Sequence, residues 1–434
     1  MDKSTQEDFN ERSVVEVPAS AGFWRKFLAF FGPGLLVAVG YMDPGNWATD
    51  LAAGAKFGYI LLSVVFFSNL LAVLFQYLAL KLGIASGKDL AQACRHAYPR
   101  PVTIILWILC EGAIVACDLA EVIGSAVALN LLFGLPLVVG ILITGLDAFV
   151  ILALQNRGFR YLEALVGGLM FIIAGVFVYE ILAAKPEWAG VAAGFVPQPQ
   201  VLFNPSMLYV AVGIVGATVM PHNLYLHSSI VQTRAFKRDD EGKAMAIRFA
   251  SMDTAVALTI ALFINVAILV LSVAAFHGTG HQDVADISQA YQLLSPTLGA
   301  AFASGLFAVA LLASGQSSTL TGTLAGQIVM EGFLDIRIRP WVRRIITRSM
   351  AIVPALCVAV WLGPGGIGQL LVLSQVVLSF QLMFAVVPLM LFTGNKELMG
   401  CFANGWFIRA AGWGASAIVA VLNGYLIYQA VCHV

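Results

Sequence analysis

Charge is what this 434-residue chain has least of. Only 11% of its residues are charged and 60% are hydrophobic, whereas about 25% are charged in a typical soluble domain. Its 24 basic and 24 acidic residues cancel, so the charge balance indicates no nucleic-acid partner. The composition predicts an integral membrane protein whose main surroundings are the lipid bilayer.

Several signatures of catalysis and cross-linking are also missing. The six cysteines are scattered without a CxxC pair, which argues against a zinc site or a disulfide framework and favours small buried side chains. There is no HExxH sequence and no nucleophile–base pair. No lysine or threonine follows the glycine-rich run Gly363–Gly366 at phosphate-loop spacing. We therefore predict no enzyme and no cofactor, and nothing implies an obligate protein partner.

Long apolar runs are abundant. About 20 apolar residues are needed for a helix to span a bilayer. Residues 1–20 are polar and lack a signal-peptide pattern, so they are predicted to form a disordered cytoplasmic tail. Eleven runs long enough to span follow, approximately at residues 27–53, 58–81, 102–130, 135–154, 162–184, 206–232, 251–276, 298–330, 342–362, 367–392 and 405–431.

The basic residues are distributed unevenly between the two sides. With eleven spans the chain termini lie on opposite sides. If the N-terminus is cytoplasmic, 22 of the 24 lysines and arginines are cytoplasmic, and only Lys56 and Lys185 lie outside. Cytoplasmic loops carry such an excess. The pattern predicts a multi-pass protein of the cell (inner) membrane, with the N-terminus in the cytoplasm and the C-terminus outside.

Two tetrapeptides interrupt apolar runs in a matching way: Asp43–Asn46 (DPGN) in the first run and Met220–Asn223 (MPHN) in the sixth. A helix broken at membrane depth frees backbone groups, which must line protein or a water-filled site. Broken helices at corresponding places in two halves of a chain are typical of a transporter's binding site. Together the side chains provide a carboxylate, amides, a thioether and an imidazole. This set favours a divalent transition metal over an alkali ion, a sugar or an amino acid.

The two broken runs also divide the chain. Runs one and six start from opposite sides, so two blocks of five spans form an inverted repeat, as alternating access requires. We predict one all-α transporter domain over residues 21–434, with repeat one at about 27–184, repeat two at about 206–392 and an extra span at 405–431.

With its two motifs and eleven-span layout, the chain resembles the Nramp (natural resistance-associated macrophage protein) family, and within it the bacterial MntH-type importers. The resemblance covers essentially the whole chain after the tail. It implies a LeuT-type fold with spans 1 and 6 unwound at mid-membrane, and import of Mn²⁺ or Fe²⁺ coupled to proton entry. The metal ligands and neighbouring residues that it implies are Asp43, Asn46, the Ala217 carbonyl, the Met220 sulfur and Gln375, with Gly45 and Asn265 near the site.

The chemistry of two implied ligands supports this assignment. A charged residue at the bilayer centre costs at least about 2.5–3.5 kcal/mol, so Asp43 indicates function; a metal ion, or a proton when the site is empty, would neutralise it. The thioether of Met220 is soft and favours late or borderline metals over Mg²⁺ and Ca²⁺. Methionine usually fills a core, but beside a proline-broken helix we favour the ligand role.

Three acidic residues follow one another in the third run. Glu111, Asp118 and Glu121 are spaced by seven and three residues, which places them within one face of a helix. We predict a proton relay through Asp118 and Glu121, whereas Glu111 fits an ion pair as well as a relay. The family resemblance pairs acids of this span with Arg343 and Arg344, as a proton gate or as positive-inside anchors.

Two histidines follow the second break. His222 is placed to exchange a proton near the metal, with backbone capping as the alternative role. His227 lies five residues further on, where helix packing and a relay or gate are equally well supported. Asp147 is an intramembrane acid to which no role is assigned. The outer segment His277–Asp286 contains two histidines and two aspartates and is interpreted as a solvated loop.

Other functions fit the same pattern less well. A magnesium-transporting member of the family should lack the soft Met220. A sodium-coupled amino-acid symporter of the same fold would not need Asp43 together with Met220. A passive channel would not need the inverted symmetry.

Overall fold

The computed structural model describes residues 15–16, 22–155, 159–277, 302–336, 339–361 and 363–432, and four single positions between 278 and 301. The helices are α1 Phe23–Phe30, α2 Pro33–Gly40, α3 Pro44–Phe57, α4 Leu62–Ser86, α5 Leu90–Ala97, α6 Arg100–Phe133, α7 Leu137–Gln155, α8 Phe159–Ala184, α9 Trp188–Gly194, α10 Gln200–Phe203, α11 Pro205–Val219, α12 Pro221–Ile230, α13 Asp240–Phe276, α14 Ala303–Leu334, α15 Pro340–Trp361, α16 Gly363–Gly394, α17 Lys396–Met399 and α18 Trp406–Cys432. Two short strands are β1 Val15–Glu16 and β2 Arg234–Ala235, and 3₁₀ turns occupy Gly58–Leu61, Val231–Thr233 and Gly400–Phe402.

Each of the eleven predicted runs contains a helix. Within the described residues, eight helical segments are long and apolar enough to cross a membrane, or nine if the bent pair α1–α2 counts as one span. The other two predicted runs contain α7, which has a shorter apolar part at Leu137–Leu146, and α14. Helix α14 carries many buried serines and threonines. Because it packs against α6 and α8 inside the bundle, it does not need a continuous apolar surface.

The first span is interrupted twice, where the sequence predicts one break. Helices α1 and α2 meet at an angle of 46°. Gly32 has φ 140°, a value that favours glycine, and Pro33 begins α2. The second interruption covers Tyr41–Asp43, as the first tetrapeptide predicts, and Asp43 caps the N-terminus of α3. The first bend corrects the prediction of a single break in this span.

The sixth span is interrupted at one residue. Helix α11 ends at Val219 and α12 begins at Pro221, with Met220 between them at φ 41° and ψ 93°. Such a backbone conformation is rare for a non-glycine residue and costs of order 1–3 kcal/mol. The second break is therefore confined to one residue, and the extended unwinding of both spans at mid-membrane stays a prediction.

Two residues of the predicted disordered tail are ordered. Val15 and Glu16 pair in parallel with Arg234 and Ala235. The rest of residues 1–20 lies outside the described residues, as do the side chain of Asp147 and residues 278–286 of the outer loop. The packing of α13 against α2, α3 and α4, and of α11 against α16, brings the two breaks together in the bundle.

Candidate metal site

The first break frees backbone carbonyls that side chains then satisfy. The Tyr41 carbonyl accepts a hydrogen bond from Asn265 Nδ2 at 2.9 Å. The Met42 carbonyl accepts from Trp47 Nε1 at 2.9 Å and from the Ser314 hydroxyl. Buried carbonyls need such partners, so these side chains stabilise the open backbone. Asn265 thus lies beside the break, close to the place that the resemblance implies.

The two breaks are hydrogen-bonded to each other. Asn46 Nδ2 donates to the Ala217 carbonyl at 2.9 Å. The Tyr41 hydroxyl donates to the Val219 carbonyl at 3.3 Å and accepts from Gln76 Nε2 at 2.7 Å. The predicted ligands of span one, Asp43 and Asn46, therefore face the last turn of α11, as a site shared by both spans requires.

Two oxygens at the first break lack hydrogen-bond partners. Asp43 Oδ1 accepts from the Asn46 backbone N–H at 2.9 Å and from Asn46 Nδ2 at 2.8 Å, but Asp43 Oδ2 has no partner. Gln375 Nε2 donates to Ser374 Oγ at 3.0 Å, and its Oε1 also has no partner. A Cβ added to Gly45 would lie 3.0 Å from Asp43 Oδ2 and would overlap the Gln375 amide. Asp43 and Gln375 therefore meet across Gly45.

The Met220 sulfur faces the end of α2. Asn223 Nδ2 lies 3.5 Å from Met220 Sδ, and a Cβ added to Gly40 would lie 3.2 Å from that sulfur. Met220 also packs in a small cluster that includes Ala113 and Cys117 of α6. The strained backbone at Met220 thus directs a thioether toward the opposite break.

The site is closed to solvent. The side chains of Asp43, Met220 and Gln375 are fully buried, and Asn46 is 1% exposed. In the part of the chain that the structure describes, no group of three or more histidine, cysteine, aspartate or glutamate residues could hold a metal ion. The implied set instead combines one carboxylate with amides, a carbonyl and a thioether. Unpartnered oxygens and a soft sulfur suit a borderline divalent cation.

Two acids of α6 are paired with arginines of α15. Arg343 Nη2 lies 2.9 Å from both carboxylate oxygens of Glu111. Arg344 Nη1 donates to Asp118 at 2.8 and 3.1 Å. The side chains of the second pair are each 1% exposed, whereas Glu111 is 18% exposed. For Glu111 the structure contains the ion pair, and the part of each acid in proton movement stays a prediction.

Arg348 belongs to the same cluster, but the sequence analysis assigned it no part in the site. Its Nη1 lies 3.4 Å from Asp118 Oδ1 and 3.5 Å from Glu121 Oε2. The Cys117 thiol lies 3.6 Å from the other Glu121 oxygen. Since Arg344 and Arg348 are four residues apart, they share a helix face, and this spacing was the available signal. Cys117 lies between the Met220 cluster and the buried carboxylates.

The two histidines have different surroundings. His222, in the first turn of α12, is 2% exposed, and its Nδ1 has no hydrogen-bond partner. His227 Nδ1 lies 2.8 Å from Gln76 Oε1, and its Nε2 lies 3.4 Å from Thr254 Oγ1. Both ring nitrogens of His227 are therefore engaged, as in a packing role, whereas His222 keeps a nitrogen available.

The sequence interpretation assigned no individual role to three more buried polar residues. Asn223 closes the second tetrapeptide, and its Oδ1 has no partner. Asp50 lies one turn beyond Asn46, and Glu180 lies in α8; both carry unpartnered carboxyl oxygens. An acid inside an apolar run was the signal in both cases.

Comparison with known proteins decides the family. The family model described as natural resistance-associated macrophage protein-like matches residues 34–429. The chain belongs to the Nramp family. A divalent metal cation transporter MntH of Mesorhizobium japonicum is 58% identical over 430 residues, which are 99% of this chain and 95% of that protein. A protein of the same name from Listeria welshimeri is 57% identical over 417 residues, 96% of this chain and 93% of that protein.

Solved structures agree with this assignment. A manganese transporter of Eremococcus coleocola, crystallised with an aromatic bis-isothiourea compound, is 43% identical with a TM-score of 0.87, covering 95% of this chain and 88% of that one. The transporter Mhp1 at 15% identity, with a TM-score of 0.58 over 97% and 95% of the two chains, shows a shared fold only. MhsT, at 14% identity, has a TM-score of 0.59 over 90% and 98%.

These comparisons confirm the predicted Nramp family and the all-α LeuT-type fold with its inverted repeat. The family consists of multi-pass membrane transporters, so the prediction that the Nramp chain is not an enzyme is also confirmed.

Proposed function

We propose that this Nramp protein imports divalent transition metal ions, Mn²⁺ first and Fe²⁺ second, coupled to proton entry by alternating access. One observation carries the proposal. A thioether, Met220 Sδ, and an unpartnered carboxylate oxygen, Asp43 Oδ2, lie at two helix breaks that face each other. Relatives named as divalent metal cation transporters and as a manganese transporter support it.

The Asn46 amide marks where the cation would bind. Its NH₂ group donates to Asp43 Oδ1 and to the Ala217 carbonyl, both of them implied ligands. A metal ion at that place would satisfy the same two oxygens, and a rotated amide would turn the Asn46 oxygen toward it. Asp43 Oδ2, Gln375 Oε1 and Met220 Sδ complete the set. Mg²⁺ and Ca²⁺ gain nothing from a thioether, which disfavours the magnesium alternative.

The buried acids of α6 supply a route for protons. A proton released from Asp43 or accepted by His222 would pass to Asp118 and Glu121, which Cys117 connects to the Met220 cluster. In the predicted orientation the more exposed pair Glu111–Arg343 lies nearer the cytoplasm, and Arg344 holds Asp118 in place. His227 is assigned a smaller part, in the closure of the inner half.

Alternating access would use the bends already present. Movement of α2 about the Tyr41–Asp43 break, with α1 adjusting at Gly32, and of α12 about Met220, would open the cytoplasmic half while α3 and α11 keep the outer half closed. The cation couples these movements only if it binds one conformation more tightly than the other. An amino-acid symporter of the same fold would not place a thioether beside a carboxylate in this way.

The test is Mn²⁺ uptake into proteoliposomes with and without an inward proton gradient. We expect stimulation by the gradient in wild type and a loss of at least about tenfold in Asp43→Asn, which keeps the side-chain size but removes the charge. Asp335→Asn changes an aspartate whose side chain is 76% exposed, and it should behave as wild type. Wild-type protein without Mn²⁺ uptake would contradict the metal assignment, and uptake independent of the gradient would contradict the coupling.

A further inference from the structure

Helices α3, α11 and α13, which pack beside the metal site, each carry a buried oxygen without a partner. Asp50 Oδ2, Thr218 Oγ1 and Asn265 Oδ1 have no hydrogen-bond partner, and their residues are 1%, 1% and 2% exposed. They belong to α3, α11 and α13 respectively. We call this place the oxygen seam.

Contacts on both sides place Asp50 in the oxygen seam. Asn46, four residues before it, bonds to Ala217 of α11. Gly54, four residues after it, packs so closely on α13 that an added Cβ would lie 2.5 Å from the Leu269 carbonyl oxygen. Residues four apart share a helix face. The Asp50 side chain therefore lies where α3 meets both α11 and α13.

The other two oxygens reach the same place. Thr218 lies one turn after Ile214, which packs in a cluster with Ala53 of α3 and Leu269 of α13. Asn265 is held by its Nδ2, which donates to the Tyr41 carbonyl at 2.9 Å, so its oxygen is left for another partner. Side chains on a helix lean toward its N-terminus, which brings the Asp50 carboxylate toward these two oxygens.

The three oxygens of the oxygen seam are left without a donor. Thr218 Oγ1 has one hydrogen and the Asn265 amide has one more beside its bond to Tyr41, yet none of the three oxygens has a partner, and a buried acceptor without a partner is costly. A divalent cation would satisfy all three oxygens at once. Because these donors are all oxygen, the seam suits Mn²⁺ better than the soft Cd²⁺.

The oxygen seam adjoins the Met220 site and extends away from it along α3. Asp50 lies seven residues after Asp43, a backbone rise of about 10 Å at 1.5 Å per residue. It lies toward the C-terminal end of α3, the side on which the charge distribution places the exterior.

We propose that Asp50, Thr218 and Asn265 form a second, oxygen-only position that holds the entering cation before it passes to Asp43 and Met220. The inference rests on the proposed function, since the same ion is the transported substrate. Its role is to admit Mn²⁺ to a site whose sulfur by itself would favour softer ions such as Cd²⁺.

The test compares Mn²⁺ and Cd²⁺ uptake by Asp50→Asn and wild type in proteoliposomes. We expect the KM for Mn²⁺ to rise at least about fivefold and the KM for Cd²⁺ to change less than about twofold, because Cd²⁺ relies on the Met220 sulfur. Asp50→Glu, which keeps the carboxylate, should restore most of the Mn²⁺ affinity. Glu180→Gln removes another buried carboxyl with unpartnered oxygens, in α8, and should leave both values unchanged.

A second measurement needs no variant. Crystals of wild type at saturating Mn²⁺ should show two anomalous peaks, one between Asp43 and Met220 and one in the oxygen seam. Three results would overturn the second position and leave the proposed function standing, provided that the wild type transports Mn²⁺. They are an unchanged KM for Mn²⁺ in Asp50→Asn, an equal rise of KM for both metals in that variant, or a single anomalous peak. Wild-type protein that transports no Mn²⁺ would overturn both.

Discussion

Arg348→Gln should uncouple metal transport from protons. Asp118 and Glu121 face Arg344 and Arg348, two acidic and two basic side chains in a cluster that is at most 2% exposed. Arg348 lies within 3.5 Å of both carboxyl groups. Its removal leaves two buried acids facing one arginine. A buried carboxylate without a positive partner is costly, so one carboxyl group should keep a proton permanently and stop exchanging it.

The size of the effect follows from the burial. Deleting one partner of a buried ion pair costs about 3–5 kcal/mol. Arg344 still bonds Asp118 in the variant and a proton can neutralise Glu121, so we expect a stability loss of about 2–3 kcal/mol. The matched control is Arg343→Gln, because its partner Glu111 is 18% exposed. The partial exposure of Glu111 to water should make that loss smaller, about 1–2 kcal/mol.

The assay records Mn²⁺ uptake and internal acidification in the same proteoliposomes, with thermal unfolding in detergent as the stability measurement. In Arg348→Gln we expect Mn²⁺-driven acidification to fall at least about tenfold, while Mn²⁺ binding stays within about threefold of wild type. Arg343→Gln should lose less of both acidification and stability. Wild-type acidification in Arg348→Gln, or equal losses in both variants, would refute the proposed role of this cluster.

Two further variants test the geometry. In Gly45→Ala the added Cβ would overlap the Gln375 amide and approach Asp43 Oδ2 to 3.0 Å, so Mn²⁺ uptake should fall at least about tenfold. Gly112→Ala meets nothing within 4 Å and should be silent; an active Gly45→Ala would contradict the site. In the loop between α4 and α5, burial raises the pKa of Asp89 to about 6. Protonation of Asp89 therefore favours the folded state, by up to about 3 kcal/mol that is complete below about pH 4 and lost as the pH rises through 6. Asp89→Asn should lose less thermal stability than wild type between pH 5 and 7.5; equal losses would contradict this assignment.

The sequence predicted the parts of the site that local chemistry dictates. Pro44 and Pro221 cannot continue a helix from the preceding turn, so the breaks at Asp43 and Met220 could be located from the chain alone. The one-face spacing of Asp118 and Glu121 likewise follows from helical periodicity. These features depend on residues that are close in sequence.

The features that sequence reasoning missed depend on long-range packing. Arg348 was counted with the cytoplasmic basic residues, but α15 packs against α6 and buries it beside Asp118. The bend at Gly32 is held by Asp253 of α13, whose carboxylate accepts hydrogen bonds from the Gly32 N–H at 3.3 Å and the Gly34 N–H at 2.7 Å. Asp50 becomes a candidate ligand only because α11 and α13 pack against α3 and bury its side chain. In each case the deciding neighbour lies on another helix.

The most direct test of the metal site is competition by Ca²⁺ during Mn²⁺ uptake, in wild type and Met220→Ala. Wild-type uptake should resist a large excess of Ca²⁺, and the variant should be inhibited at concentrations at least about tenfold lower. Met170→Ala, which removes a fully buried methionine of α8, should resist as wild type does. If Ca²⁺ abolishes wild-type uptake, or if Met220→Ala resists it equally, the sulfur-containing transition-metal site is contradicted.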